Sequence, residues 1–176
     1  MEHVLEMGTT KRHNWLISGI IRDIWSQFKQ EIVNSKVTPL HEQVALCYHG
    51  SPLEVDFIEL IDVDVDEVKH IHDLRIVQPD FLLFKNNKYI TNERETRYAG
   101  RPDLIIEVWS EDNKPNHRLF KQILYSTSPV TEHWYIEQDS NEVVCMLGKN
   151  KMPTQSLKNI LTTQEGIEID LRYLAL

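Results

Sequence analysis

The chain has 176 residues, of which 41% are hydrophobic and 26% charged, enough apolar material for one packed domain across residues 1–176 and too much for a disordered chain. Nineteen Lys and Arg against 27 Asp and Glu give a formal net charge of -8, which argues against coating a polyanion or a membrane through bulk charge but leaves room for a local basic groove. No apolar run is long enough to span a bilayer, the first residues lack the apolar block of a secretion signal, and two cysteines, Cys47 and Cys145, make no disulfide framework, so the expected setting is a reducing cytoplasm.

Residues 10–31 predict an amphipathic helix: Ile17, Ile20, Ile21, Ile24 and Phe28 recur near the helical period, and Thr9 or Thr10 can cap its start. Residues 43–49 and 55–60 read as strands around the turn signal Gly50-Ser51-Pro52. Two apolar strands follow, 75–85 and 103–110, joined by a polar connection that holds a short strand at 88–90. A break at 112–116 precedes a second helix over 117–127, with Phe120, Ile123 and Leu124 as its buried stripe. Residues 133–138 and 142–148 predict a hairpin, and 150–176 reads as peripheral strands or turns. Helices packed on a mixed sheet, an α+β arrangement, bury this order most simply.

Charged groups inside apolar strands carry the most information, because burying a lone carboxylate is costly unless something compensates it. Asp80 interrupts IVQPDFLLF and Glu107 interrupts DLIIEVW. If the two strands pair antiparallel with Asp80 opposite Glu107, Phe84 falls opposite Asp103, and the alternation of side chains sets the two acids side by side. Asp103 then lies roughly 13 Å from Glu107 along the strand. Paired carboxylates suit Mg²⁺ or Mn²⁺, which need few protein ligands when a substrate supplies phosphate oxygens. The same acids equally suit strand-end caps or buried ion pairs. Lys121, with His117 and Tyr125 one turn either side, can bring a positive charge to the phosphoryl group, or can sit solvated on the helix.

Basic residues flank these strands. Residues 85–101 hold Lys85, Lys88, Arg94, Arg97 and Arg101 against Glu93 and Glu95, and 113–121 hold Lys114, Arg118 and Lys121 with no acid. Arg94, Arg97, Arg101, Lys114 and Arg118 are therefore candidate contacts to DNA phosphates, or ordinary solvated charge. Other patterns lead nowhere. Asp62 to Asp66 starts like a calcium loop but has Glu at position 67 where the loop needs Gly. His70 and His72 read as a surface pair, and no Gly-rich phosphate loop is present.

QPD at 78–80, RPDLIIEVWS at 101–110, KQILY at 121–125 and VTEHWYIE at 130–137, in that order and spacing, resemble the Uma-two family of restriction-endonuclease-like domains in the PD-(D/E)XK nuclease superfamily. His13 also matches a histidine that the family often carries before its first helix. The resemblance implies a restriction-endonuclease-like core: a mixed sheet with an antiparallel meander, flanked by helices. It implies a Mg²⁺- or Mn²⁺-dependent endonuclease hydrolysing DNA phosphodiester bonds, with Asp80 and Glu107 as metal ligands and Lys121 completing the catalytic set. Asp103, His13, His117 and Tyr125 are supporting candidates. The lysine that the superfamily often places two residues after the glutamate is replaced by Trp109. The chain also has His117 where the family often has Asp, Ser110-Glu111-Asp112 where it has a Ser-Pro-Ser turn, Pro129-Val130 for Gly-Val and His133 for Tyr, and only Glu2 and Glu6 ahead of the first helix. These departures define the alternative, a catalytically impaired nuclease fold that binds nucleic acid or a protein partner. A homodimer joined through exposed strands such as 142–148 is a further expectation.

Overall fold

The computed structural model describes the backbone of residues 10–41, 45–47, 76–85, 89–91 and 97–176, and the side chains of 10–40, 78–85 and 101–176. The strand expected at 55–60, the acidic run 62–66 and the histidines 70 and 72 lie outside the described residues.

Helix α1 spans Lys11–Val33. The Thr10 hydroxyl accepts the His13 N–H at 3.2 Å, the side-chain cap that satisfies one of the helix's orphan donors. The helix kinks at Phe28, and Ser35, at a φ of 54°, turns the chain out of it. The main sheet then runs β1 (Val37–His41), β4 (Phe81–Lys85), β7 (Leu104–Trp109), β8 (Glu132–Glu137), β9 (Glu142–Leu147) and β10 (Asn150–Lys151), with β11 (Gln155–Ser156) also on β9. A second sheet joins β3 (Ile76–Val77), β2 (Ala45–Cys47), β6 (Arg97–Gly100) and β5 (Tyr89–Thr91). The last hairpin is β12 (Leu161–Thr162) with β13 (Glu168–Ile169), followed by a 3-10 turn at Arg172–Leu174.

β4 pairs antiparallel with β7, Phe81 opposite Ile106 and Leu83 opposite Leu104, so the next step of the same register sets Asp80 opposite Glu107. This is the alignment expected from the two acids. The single strand expected over 75–85 is two strands instead. Pro79 has no N–H to give to a ladder, and the chain leaves the second sheet at Val77 and enters the main one at Phe81, with Asp80 in the bend. Between β7 and β8 the chain crosses over through helix α2 (Pro115–Tyr125), and the two strands pair in parallel. The helix begins two residues before the expected start, because Pro115 occupies its first turn, where a missing N–H costs nothing.

Alternation along β4 and β7 divides the core between two layers. Phe81, Leu83, Leu104, Ile106 and Val108 face α1, against Leu16, Ile17, Ile20 and Ile24. Leu82, Phe84, Ile105, Trp109 and Tyr135 face α2, against Leu124 and Tyr125. The α+β arrangement of helices on a mixed sheet thus holds. The tail does not stay peripheral: Leu157, Leu161, Ile169 and Leu171 are fully buried in the α1 layer. Nor is 142–148 an exposed edge, because β9 is covered by β8 on one side and by β10 and β11 on the other. The edge pairing expected there for a homodimer has no free strand to use.

Candidate active site

Glu107 sits mid-strand on the α2 face of β7 and is 1% exposed. A buried carboxylate needs partners, and α2 delivers two from successive turns. The Lys121 ammonium lies 2.8 Å from Oε1 and donates to Oε2 at 2.9 Å, and the Tyr125 hydroxyl donates to Oε1. Lys121 also donates to the Gln78 carbonyl at 3.2 Å, which ties α2 to the bend that carries Asp80. Burial pushes the Glu107 carboxyl up to about 7. The Lys121 charge holds it down and the nearby Asp80 charge pushes it further up.

Asp80 is held from the other side. Its Oδ2 accepts the Val108 N–H at 2.7 Å, and its Oδ1 lies 3.2 Å from Nε2 of His13 on α1. The sheet end thus gathers one acid from the bend, one from β7, a lysine and a tyrosine from α2 and a histidine from α1. Asp80, Glu107, Lys121, Tyr125 and His13 come together; the remaining candidates do not. Asp103 lies toward the far end of the β4–β7 pair, where its Oδ2 accepts the Lys85 N–H at 2.6 Å and fastens the strand end; burial raises its carboxyl. His117 is exposed on the first turns of α2, as are Lys114 just before it and Arg101 ahead of β7. Arg118 binds Glu137 and the Ser110 carbonyl and lies 4.8 Å over the Trp109 ring, so its guanidinium is committed to the protein itself. Arg97 contributes its backbone to β6, and the side chains of Arg94 and Arg97 lie outside the described residues.

The donor set can be tested against a metal. Among the described residues no group of three His, Cys, Asp or Glu side chains is placed to hold an ion, which rules against a closed structural zinc site there. Two oxygen-bearing acids with one oxyanion partly exposed are what a hard cation needs if water and substrate oxygens fill the rest of its shell. Asp80 and Glu107 are the residues that could hold a hard divalent cation such as Mg²⁺ or Mn²⁺.

Residue reading from sequence alone did not find the Gln78 carbonyl, nor a buried pair behind the site, where His133 and the Tyr135 hydroxyl share a hydrogen bond of 2.6 Å and His133 reaches the Gly148 carbonyl at 2.9 Å. The alternation of His133 and Tyr135 on one strand was the available signal. Trp109, where a lysine would be expected two residues after the glutamate, packs 4.4 Å from the Tyr135 ring. Cys145 is buried and its thiol is pushed up to about 11, which makes it inert as a nucleophile.

Comparison with known proteins agrees with the fold. The family model Uma2, described as "Putative restriction endonuclease", matches residues 61–175. A crystal structure from Anabaena variabilis ATCC 29413, described as "a putative nuclease belonging to DUF820", is similar in fold. It has a TM-score of 0.64 and 13% identity over 96% of this chain and 84% of that one. No curated protein matches the sequence. Among the described residues no helix is long and apolar enough to cross a membrane.

Proposed function

The chain belongs to the Uma2 family of restriction-endonuclease-like proteins, and from that membership we propose that it is a divalent-metal-dependent endonuclease that hydrolyses DNA phosphodiester bonds. The observation that carries the reading is the meeting of Asp80, Glu107 and Lys121 at one end of the sheet. Asp80 and Glu107 would hold the ion, which supplies Lewis acidity toward a phosphodiester oxygen and acidifies a bound water.

The chain's own groups prepare that chemistry. Lys121 favours the ionised form of Glu107 and keeps a cation where negative charge grows on the phosphoryl oxygens. Tyr125 and Lys121 fix the Glu107 carboxylate from two sides, so it is oriented before substrate arrives. His13 and the Val108 N–H do the same for Asp80. The exposed Arg101 and Lys114, with Arg94 and Arg97, are the candidate contacts to the phosphate backbone.

The test pairs a binding measurement with an activity measurement. Wild-type protein should nick plasmid with Mg²⁺ or Mn²⁺ and not with EDTA. Glu107→Gln should lose nicking and weaken Mn²⁺ binding by calorimetry about tenfold or more. Lys121→Met should lose nicking while still binding Mn²⁺. Equal nicking by wild type and Glu107→Gln would refute the assignment, and DNA binding without any response to millimolar metal would favour a non-catalytic binding module.

A further inference from the structure

The outer face of α1 takes no part in the core or the site. Lys11, Trp15, Ser18, Arg22 and Trp25 recur at alternating steps of four and three and so line one helical face, opposite the buried Leu16, Ile20 and Ile24; exposed Lys29 follows the kink. Trp15 is 57% exposed and Trp25 is 45% exposed, whereas the other two indoles, Trp109 and Trp134, are buried. Beside the stripe lies a groove of about 410 Å³ lined by Trp15, Ser18, Gly19, Arg22, Tyr173 and Leu174. Tyr173 is 58% exposed, and it reaches this place because residue 19 is glycine: a Cβ there would stand 2.5 Å from its hydroxyl. Arg22 lies 5.0 Å over the Tyr173 ring. The groove thus has an indole and a phenol ring as walls and a guanidinium at its mouth.

We infer that this face is a binding surface for single-stranded nucleic acid, with bases stacked on Trp15, Tyr173 and Trp25 and phosphates met by Lys11 and Lys29. The inference rests on the nuclease reading for its place in the protein's work. Flat exposed rings interleaved with cations are what single strands require, since every base offers a π-face and every linkage a charge. Three other features decide between occupants. The stripe itself holds no acid, in a chain of net charge -8; of the acids beside it, Asp23 pairs with Arg22 and Asp170 with Arg172, so Lys11 and Lys29 carry the charge that is complementary to an anion. A second copy laid against it would set lysine and arginine against themselves. A membrane surface would want a broader apolar strip than two indoles separated by Ser18 and Arg22.

The test uses the full-length protein in EDTA, with fluorescein-labelled oligothymidylate as the probe. Anisotropy should show salt-dependent binding stronger than to a duplex of equal length, with quenching of the exposed indoles. Trp15→Ala and Tyr173→Ala should each weaken binding about tenfold, and Lys11→Gln combined with Lys29→Gln should weaken it and lower the salt slope. Circular dichroism confirms folding, and Trp25→Ala, at an exposed position away from the groove, serves if either groove variant unfolds. Duplex preference, or binding indifferent to the folded variants, overturns the inference. So does preferential capture by anionic vesicles, or a wild-type dimer by sedimentation that Trp15→Ala makes monomeric. Plasmid nicking without oligothymidylate binding would sink this surface alone, and oligothymidylate binding without nicking would sink the nuclease reading alone.

Discussion

Glu107 and His133 are buried on neighbouring strands, and burial moves their proton affinities in opposite senses. The Glu107 carboxyl rises from its ordinary 4.5 to about 7, so the folded chain holds this proton more tightly than the unfolded one, and stability falls as pH rises through that window. His133 is lowered from 6.5, so the unfolded chain takes up a proton that the folded one refuses, and stability falls as pH drops below about 6.5. The two effects oppose each other in mildly acidic solution and partly hide in the wild type. Single substitutions should separate them. In metal-free buffer, Glu107→Gln should gain stability relative to wild type as pH climbs from 4.5 to 7, on the order of 1 kcal/mol per pH unit. His133→Gln should gain relative to wild type as pH falls below about 6.5. Urea denaturation at a series of pH values reads both slopes, and parallel profiles for all three proteins would contradict the burial argument.

Helix α1 shows how one element serves two faces, and Gly19 is where they meet. Alanine is the better helix former by about 1 kcal/mol. Here its Cβ would stand 2.6 Å from a Leu171 methyl in the closed core and 2.5 Å from the Tyr173 hydroxyl. Tyr173 can swing outward, but Leu171 cannot move without repacking, a cost of about 1–3 kcal/mol. Gly19→Ala should therefore lower the melting temperature, and a rise would show that the 3-10 turn yields easily. The elements differ in how plainly the chain announces them. The β4–β7 register was legible because acids interrupt both apolar runs and only one antiparallel alignment sets them side by side. The break at Pro79 was masked by the apolar residues on both sides, and the parallel pairing of β7 with β8 depends on where α2 crosses, which no local pattern records. At the site, the four-residue spacing on the helix put His117, Lys121 and Tyr125 on one face without separating the exposed His117 from the two that reach Glu107, and it was the KQILY resemblance that singled out Lys121. The Gln78 carbonyl was not legible, since a backbone acceptor leaves no mark in side-chain chemistry.

On the scale of the whole molecule, the tail belongs to the core although its short strands and turns read as trimming. β11 covers the outer side of β9, and β13 packs against α1. Leu157, Leu161, Ile167, Ile169 and Leu171, each at most 6% exposed, fill the layer between α1 and the sheet. Gln27 and Asp23 on the helix add hydrogen bonds to the backbone of residues 168 and 170. Apolar positions here are irregularly spaced, because two-residue strands and turns cannot show a period, and that is why burial was not foreseen. Each buried Leu or Ile contributes about 1.5–3 kcal/mol, so the five together match the roughly 5–15 kcal/mol by which a domain of this size is stable. Deleting residues 155–176 would also uncover the inner faces of Leu16, Ile20 and Ile24 and leave β9 with an open edge. The truncated chain should fail to fold, accumulate as aggregate, and show no cooperative melting by circular dichroism, even though Asp80, Glu107 and Lys121 are all retained. A soluble, cooperatively melting product ending at residue 154 would mean that the sheet and α1 hold together without the tail, and that the layer it fills contributes far less than its burial implies.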